Sequence, residues 1–135
     1  MAAGELPPPP IARLLGFQVV SVGDGTAVFE MDVDERYWNP MGTLHGGILC
    51  DIADAAMGFA YASKLEQSEK FTTVELKINF LRPVTKARLR ATGHIVKKGR
   101  KIGLVDCDVT DEQGRLVARA SSTCMTLTGD DTRPR

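Results

Sequence analysis

The residues with the clearest chemical potential lie in one loop and the helix predicted to follow it. Asn39 precedes the triplet His45-Gly46-Gly47 by six residues, and Asp54 follows the histidine by nine. The glycines open an apolar helical pattern, so their N–H groups lie at a helix start and have no partner within the helix. Such groups can stabilise an oxyanion, and a carboxylate on this helix or on its copy in a second chain can act as base or nucleophile. This pattern predicts an acyl-transfer site.

Two acids on this helix compete for the catalytic role. The neighbours of Asp54 one turn away include no cation and are mostly apolar or very small, and burying an unpaired carboxylate is costly. Asp51 lies about 60° away around the helix and has a structural interpretation, because an acid in the first turns favours the helix dipole. Acids in an unfavourable environment, such as the one expected for Asp54, cluster at functional sites. We therefore predict Asp54 as the catalytic acid, with Asp51 as the alternative.

One helix and a set of strands must position these residues. The helical pattern runs from His45 to about Leu65, and alternating apolar residues bounded by turn residues indicate strands. The strands are predicted over residues 17–22, 26–33, 71–81, 87–98, 101–110 and 115–127. Gly23-Asp24-Gly25 makes the first two a hairpin. The order predicts an α+β fold in which an antiparallel sheet of five to six strands wraps around one long central helix.

Size and composition indicate one domain without a strong charge preference. The chain has 135 residues, and 17 lysines and arginines balance 17 acids, so no net charge attracts nucleic acid or an anionic membrane. The sequence contains no run of 18 apolar residues, so no membrane span is predicted. We expect a disordered proline-rich lead-in over residues 1–10, a single domain over 11–128 and a frayed tail over 129–135. Three widely spaced cysteines and the absence of a signal core predict a cytoplasmic protein with reduced thiols.

The predicted helix is apolar on two opposite sides. The side expected to pack on the sheet carries Ile48, Ile52, Ala55, Ala56 and Phe59. The other side carries Gly47, Cys50, Asp54, Met57, Gly58 and Tyr61. A helix that is apolar on both sides is buried on both sides. Because one small domain covers only one side easily, we expect a second copy of the chain to cover the other, with Asp54 at the contact.

These elements and residues resemble the PaaI-type acyl-CoA thioesterases, the phenylacetate-degradation branch of the hotdog-fold enzymes. The resemblance covers residues 17–127 and is carried by Asn39, His45-Gly46-Gly47, Asp54 and Thr73. It implies hydrolysis of an aryl- or medium-chain acyl-CoA to the free acid and coenzyme A, with no cofactor and no metal. It further implies a homodimer that builds each site from two chains, and assembly into a homotetramer.

The resemblance also implies a role for each matched position. The amide of Gly46 donates to the thioester oxygen, and Gly47 beside it lets the ligand approach the backbone closely. His45 orients the loop and helps to polarise the carbonyl. Asn39 holds the carbonyl or the attacking water, although a turn role is an equally good interpretation of an asparagine before proline. Thr73 hydrogen-bonds the water.

Asp54, by the same resemblance, either activates water or attacks the carbonyl to form a mixed anhydride, and the sequence leaves both routes open. A zinc site is not expected, because His94 is the only other histidine and no cysteine pair has ligand spacing.

A basic turn and five aromatic residues complete the predicted binding surface. The turn between the strands at 87–98 and 101–110 is basic, which is ordinary for a solvated tip. The resemblance places the coenzyme A nucleotide near it, so the predicted binding residues are Lys98, Gly99, Arg100 and Lys101. The aromatic residues that could line an acyl pocket are Trp38, Phe59, Tyr61, Phe71 and Phe80.

Three other functions fit the sequence less well. A non-catalytic acyl-CoA-binding or sensor module does not need an unpaired carboxylate beside the thioester. A hotdog enoyl-CoA hydratase places its histidine two residues after the proline of Asn-Pro, whereas His45 lies five residues after Pro40. A cysteine–histidine hydrolase is disfavoured, because Cys50 lies about 140° from His45 around the helix.

Overall fold

The helices and strands of the computed structural model, which describes residues 8–129, follow the predicted order. They are α1 (Pro10–Leu15), β1 (Gln18–Gly23), β2 (Thr26–Val33), α2 (Gly46–Ala62), β3 (Lys70–Phe80), β4 (Ala87–Lys98), β5 (Ile102–Thr110) and β6 (Leu116–Leu127). A 3-10 turn, Glu35–Tyr37, lies between β2 and α2. Helix α1 begins at Pro10, the last residue of the predicted lead-in, because proline suits the first helical position. The rest of that lead-in up to residue 7 and the tail from residue 130 lie outside the described residues.

The six strands form one antiparallel sheet in the order β1-β2-β4-β5-β6-β3. The predicted hairpin between β1 and β2 is confirmed, with Asp24 and Gly25 at positive φ in its turn. After β2 the chain passes through α2, which packs on one face of the sheet, and then continues as β3 at the opposite edge. One long helix packed on a six-stranded antiparallel sheet confirms the predicted α+β class.

The predicted division of α2 into two faces was wrong in part. Met57, Gly58 and Tyr61, which were expected to face a second chain, are buried in this chain's own core, whereas Ile48, Ala55 and Phe59 are only partly buried. The cause is a close approach of β4: a Cβ on Gly93 would lie 2.7 Å from the backbone of Ala56. The contact turns the Ala56–Met57 side toward the sheet. The surface that remains open on α2 includes Gly47, Cys50 and Asp54.

A bulge in β3 shifts the alternation of its inward side chains by one residue. The pairing of β3 with β6 shifts between Thr73 and Glu75, and Val74 at the bulge is 54% exposed. Phe71 and Thr73 before the bulge and Leu76 after it are all partly buried. An extra residue at a bulge breaks the strict alternation of faces, so Leu76 and Thr73 can lie on the same side of the strand, and the hydrogen bond from Thr73 to Asp54 shows that this side faces α2.

Candidate active site

The loop before α2 is held in place by backbone hydrogen bonds. The N–H of Leu44 donates to the carbonyl of Val84 at 2.7 Å, and the N–H of His45 donates to the carbonyl of Tyr37 at 2.9 Å. The indole N–H of Trp38 donates to the carbonyl of Thr85 at 2.7 Å. These contacts tie the loop to the 3-10 turn and to the chain between β3 and β4. The direction of the first N–H groups of α2 is therefore fixed by the fold.

His45 caps α2 and separates the roles of the two glycines. Its Nδ1 accepts a hydrogen bond from the N–H of Gly47 at 2.9 Å. Its backbone carbonyl accepts from the N–H of Ile48 at 3.0 Å. The N–H of Gly46 has no hydrogen-bond partner within residues 8–129. A free backbone donor at the positive end of a helix is suited to an anionic oxygen, so of the two glycines Gly46 offers the open donor.

The ring of Phe80 covers one side of Gly46. A Cβ at position 46 would lie 2.7 Å from Cζ of Phe80, closer than real Cβ contacts. Phe80 ends β3 and is 55% exposed. Its ring can lie beside this amide because Gly46 has no side chain. Glycine at this position therefore leaves the donor accessible and seats an aromatic ring beside it.

Asp54 and Thr73, two residues of the predicted site, are in contact. The hydroxyl of Thr73 donates to Oδ1 of Asp54 at 3.0 Å, and the Asp54 side chain is exposed in the single chain. A neutral hydroxyl can orient a carboxylate without neutralising it. Oδ2 of Asp54 has no hydrogen-bond partner in the described part of the chain and can accept a proton or attack an electrophile.

The Gly46 donor and the Asp54 carboxylate of one chain do not share a reacting atom. They are eight residues apart on α2, which separates them by about 12 Å along the helix axis. A carbonyl bound at the Gly46 N–H is therefore out of reach of the same chain's Asp54, since catalytic groups act at hydrogen-bond distance. Within one chain these two groups therefore cannot act on the same carbonyl.

Asn39 uses its side chain within its own loop. Its Oδ1 accepts from the N–H of Met41 at 2.9 Å and from the N–H of Thr43 at 3.2 Å. Its Nδ2 donates to the hydroxyl of Thr43 at 3.1 Å. This is the turn role that the sequence also allowed. The structure does not bring Asn39 into contact with Asp54, His45 or Gly46, so its predicted contact with substrate stays a prediction.

A groove with a volume of about 370 Å³ opens beside the start of α2. Its lining residues are Arg36, Tyr37, Trp38, His45, Gly47, Ile48 and Asp51. Burial raises the pKa of Asp51, and the neighbouring charge of Asp54 raises it further. No sequence pattern predicts this groove, because Arg36 and Asp51 are brought together by the loop and not by spacing along one element.

In the basic turn between β4 and β5, some residues make contacts within the chain and others are exposed. The Lys98 ammonium lies 5.6 Å from the centroid of the Tyr61 ring, and the N–H of Gly99 donates to the carbonyl of Ile102 at 2.7 Å. Arg100 and Lys101 are exposed. Since Tyr61 lies near the C-terminal end of α2, the turn is close to the Asp54 half of the helix. Lys98 thus packs on the helix end, whereas its predicted contact with coenzyme A stays a prediction.

Three of the five candidate aromatic residues pack within the chain. Phe59 packs edge-on against Phe29, and the Tyr61 ring lies 5.7 Å from that of Phe71. The Tyr61 hydroxyl and the Thr126 hydroxyl are 2.7 Å apart in the core. Trp38 and Phe80 keep large exposed fractions of 42% and 55%. Of the five candidates, these two are the ones that expose a large part of the ring, and both lie near the start of α2.

The cysteines are not disposed for catalysis. All three are free thiols, and burial raises the pKa of Cys50 and Cys124 and raises that of Cys107 to about 12. A thiol with a raised pKa is a poor nucleophile at neutral pH. Within residues 8–129 no three His, Cys, Asp or Glu side chains are grouped to hold a metal ion.

Known proteins with similar sequence and structure identify the family. A thioesterase superfamily profile matches residues 41–118. The acyl-coenzyme A thioesterase PaaI of Escherichia coli is 33% identical over 108 residues, which cover 79% of this chain and 75% of that protein. The acyl-coenzyme A thioesterase 13 of Homo sapiens is 29% identical over 114 residues, covering 82% and 81%. The solved structure of E. coli PaaI has a TM-score of 0.83 at 29% identity, covering 90% of this chain and 86% of that one.

The fold and the helix-start site together define a hotdog-fold thioester hydrolase. The chain belongs to the thioesterase superfamily. The predicted fold class, family resemblance and thioester hydrolase activity are thereby confirmed. The roles of the individual side chains and the assembly of the protein stay predictions.

Proposed function

We propose that this enzyme hydrolyses aryl- or medium-chain acyl-CoA thioesters to the free acid and coenzyme A, with Gly46 as oxyanion donor and Asp54 as the reacting carboxylate. The observation that carries this proposal is the free N–H of Gly46 at the start of a helix that also bears the Thr73-bonded Asp54. The activity named for the two relatives, acyl-coenzyme A thioesterase, supports the substrate class.

Each site is built from two chains. On one helix the Gly46 donor and Asp54 are about 12 Å apart. Two copies of α2 that run antiparallel bring Gly46 of one chain opposite Asp54 of the other. Strand β3, which carries Thr73, is an edge of the sheet and exposes the apolar side chains of Val74 and Phe80. An exposed apolar edge is a ready surface for a second copy.

A homotetramer forms from two such dimers. The support for this second contact is an exposed apolar group on β4 and β5, namely Val96, Ile102 and Leu104, whose exposed fractions are 51%, 49% and 42%. Clusters of this kind on a protein surface mark protein contacts.

In the reaction, the thioester oxygen accepts a hydrogen bond from Gly46 N–H, and charge on this oxygen grows as the carbonyl carbon becomes tetrahedral. His45 holds the Gly47 N–H and so keeps the loop in register. Asp54 either takes a proton from water, whose hydroxide then attacks, or attacks the carbonyl itself to form an anhydride that water opens. In both routes the carbon–sulfur bond breaks and coenzyme A leaves as the thiolate, which then gains a proton.

Comparing the two acids of α2 tests the catalytic assignment. Asp54→Asn keeps the shape and removes the base or nucleophile, so kcat should fall by roughly 10²–10⁴. Asp51→Asn on an unsubstituted acyl-CoA should lower the rate far less. Release of free coenzyme A, followed with a thiol reagent, measures both. A larger loss for the Asp51 variant would move the catalytic role to Asp51. An acyl group found covalently on Asp54 by mass spectrometry would select the anhydride route.

A pure acyl-CoA-binding module is the weaker alternative. Binding alone gives no reason to direct a hydroxyl such as Thr73 at an otherwise unpaired carboxylate. We also propose that the enzyme is cytoplasmic, and the three free cysteines support a reducing compartment. Within residues 8–129 no helix has the length and apolar character needed to cross a membrane.

A further inference from the structure

A buried thiol lies directly behind the contact between Asp54 and Thr73. Cys124 on β6 is the residue opposite Thr73 in the pairing of β3 with β6, and opposed side chains in an antiparallel pair have Cβ atoms about 5 Å apart. The Cys124 side chain is fully buried, and its sulfur is in hydrogen-bond contact with the Thr73 hydroxyl. The residue that orients Asp54 is therefore itself held from the neighbouring strand.

Ser122 extends this contact one step further into the core. It precedes Cys124 by two residues on β6, so both side chains lie on the same face of the strand, and both are fully buried. The Ser122 hydroxyl and the Cys124 sulfur are 3.9 Å apart. A polar group buried this completely costs stability unless it has a partner. The side chains of Ser122, Cys124 and Thr73 thus form a connected hydrogen-bond chain that ends at the carboxylate of Asp54.

The protons available to these groups fix the direction of the hydrogen-bond chain. A hydroxyl has one proton to donate and two lone pairs that accept. The Thr73 proton is donated to Oδ1 of Asp54 at 3.0 Å. Because Thr73 can then only accept from Cys124, the Cys124 S–H donates to the Thr73 oxygen, and the sulfur in turn accepts from the Ser122 hydroxyl. Every donor in the chain is directed toward the carboxylate.

The Cys124 thiol is in the protonated form that this direction requires. Burial raises the pKa of Cys124, and the negative charge of Asp54 acts in the same direction. The S–H donor is therefore present at neutral pH. An apolar side chain at this position would offer the Thr73 oxygen no donor, and the Thr73 hydroxyl would be freer to rotate away from Asp54.

We propose that Cys124 is a positioning residue that acts through Thr73: its S–H occupies the Thr73 oxygen and so commits the single Thr73 proton to Asp54. This inference rests on the proposed role of Asp54 in thioester hydrolysis and adds a residue from the last strand of the sheet to it. Cys124 does not touch the substrate or the reacting atoms. Its contribution is a narrower range of orientations for the Asp54 carboxylate.

Steady-state kinetics on one acyl-CoA substrate test this role with four variants. Cys124→Ala and Cys124→Val remove the donor, and each should lower kcat about two- to fivefold with little change in KM, because S–H is a weak donor. Cys124→Ser keeps a donor and should retain most of kcat. Cys107→Ala is the matched control, since Cys107 is an equally buried cysteine whose thiol donates to the carbonyl of Asp108. Unchanged kcat in both the alanine and the valine variant of Cys124 would overturn the proposal.

A double variant separates positioning from general damage to the core. If Cys124 acts through Thr73, its substitution has nothing left to change once the Thr73 hydroxyl is gone. Thr73→Val/Cys124→Ala should therefore have the same kcat as Thr73→Val alone. A further loss as large as that of Cys124→Ala by itself would overturn the proposal, because Cys124 would then affect the site by another route.

The infrared band of the S–H stretch tests the contact without any enzyme activity. This band moves to lower wavenumber when the S–H donates, and the difference between the wild type and Cys124→Ala identifies the band of this thiol. Thr73→Val should move it to higher wavenumber, and Cys107→Ala should leave it in place. An unchanged band in Thr73→Val would overturn the proposal while the thioesterase function stands. A wild-type protein that hydrolyses no acyl-CoA would instead contradict the proposed function, and with it the role of Cys124.

Discussion

The hydroxyl of Thr73, a residue of the edge strand β3, donates to the carboxylate of Asp54 on α2 at 3.0 Å. This contact joins a helix and a strand that come together only when the chain folds. It leaves Oδ2 of Asp54 without a partner in the described part of the chain and gives the carboxylate one preferred orientation. The contact makes Thr73 a positioning residue for the proposed reaction.

Removal of the Thr73 hydroxyl should lower kcat by about tenfold, since one hydrogen bond to a charged group is lost. Thr73→Val keeps the shape of the side chain and removes the donor, and Thr73→Ser keeps the donor. We expect the serine variant to retain most of kcat and the valine variant to lose it with little change in KM. Steady-state kinetics with thermal denaturation as a stability control checks this. Equal activity of the valine and serine variants would show that the hydroxyl does not orient Asp54.

The Gly46 donor can be removed without breaking α2. Gly46 is the first helical residue, where proline is tolerated, and His45 before it already has the extended ψ of 132° that a following proline requires. Because the proline ring would collide with Phe80, the substitution belongs in a Phe80→Ala background. Phe80→Ala/Gly46→Pro should show a kcat about 10²–10³ lower than Phe80→Ala alone. Equal kcat values would remove Gly46 from the oxyanion site.

The same double variant tests whether each site needs two chains. Mixed dimers of Phe80→Ala/Gly46→Pro chains and Asp54→Asn chains contain one site with both an intact donor and an intact carboxylate. Unfolding and refolding the two inactive proteins together should therefore restore part of the activity. Mixtures that stay inactive although they form mixed dimers would mean that donor and carboxylate act within one chain.

The exposed residue Arg100 in the β4–β5 turn should act on affinity for coenzyme A alone. Arg100→Ala should raise KM for acyl-CoA several-fold and leave kcat almost unchanged, because an exposed contact far from the reacting carbon is worth about 1 kcal/mol or less. The effect should weaken with added salt. A short thioester without the nucleotide should show no such change, and an equal rise in KM for both substrates would mean that the turn supports the fold.

The ionised carboxylate of Asp51 should lower the stability of the folded protein at pH values above its raised pKa. Burial and then the charge of Asp54 raise the pKa of Asp51 above its usual 3.8, so between those two values the folded state binds more protons than the unfolded state. Stability due to this group therefore falls as pH rises through that window. We expect Asp51→Asn to raise Tm at neutral pH and to lose this advantage below pH 3.8. A Tm difference that does not change with pH would contradict the electrostatic cause.

The sequence was sufficient to predict the order of the helices and strands, and it was sufficient to predict part of the candidate site. The resemblance placed Asp54 and Thr73 in one candidate site and gave Thr73 the water as its partner, whereas in the structure the Thr73 hydroxyl donates to Asp54 itself. The sequence failed where burial depended on a contact between elements. Met57 faces the core because the backbone of β4 comes close at Gly93. A lysine at Met57 would consequently unfold the chain, and would not simply separate two copies as the face assignment had implied.

Other parts of the site depend on choices that a sequence pattern does not encode. Nothing in the pattern tells which glycine N–H is occupied, because the His45 side chain decides this by accepting from Gly47. Nor does the pattern place Arg36 and Asp51 in one groove, because they come from a loop and a helix. The assembly of the chains is likewise a property of surfaces and not of periodicity along one element.

The order of the strands has a consequence for synthesis of the chain. Strand β3 pairs with β6, and Thr73 lies opposite Cys124, about 50 residues later. All of the candidate catalytic residues precede residue 74, yet Thr73 has no neighbouring strand until the last strand of the sheet is in place. A nascent chain that lacks β6 therefore contains every candidate catalytic residue, yet its β3 has no strand to pair with, so we expect the Asp54–Thr73 contact to form only when β6 closes the sheet.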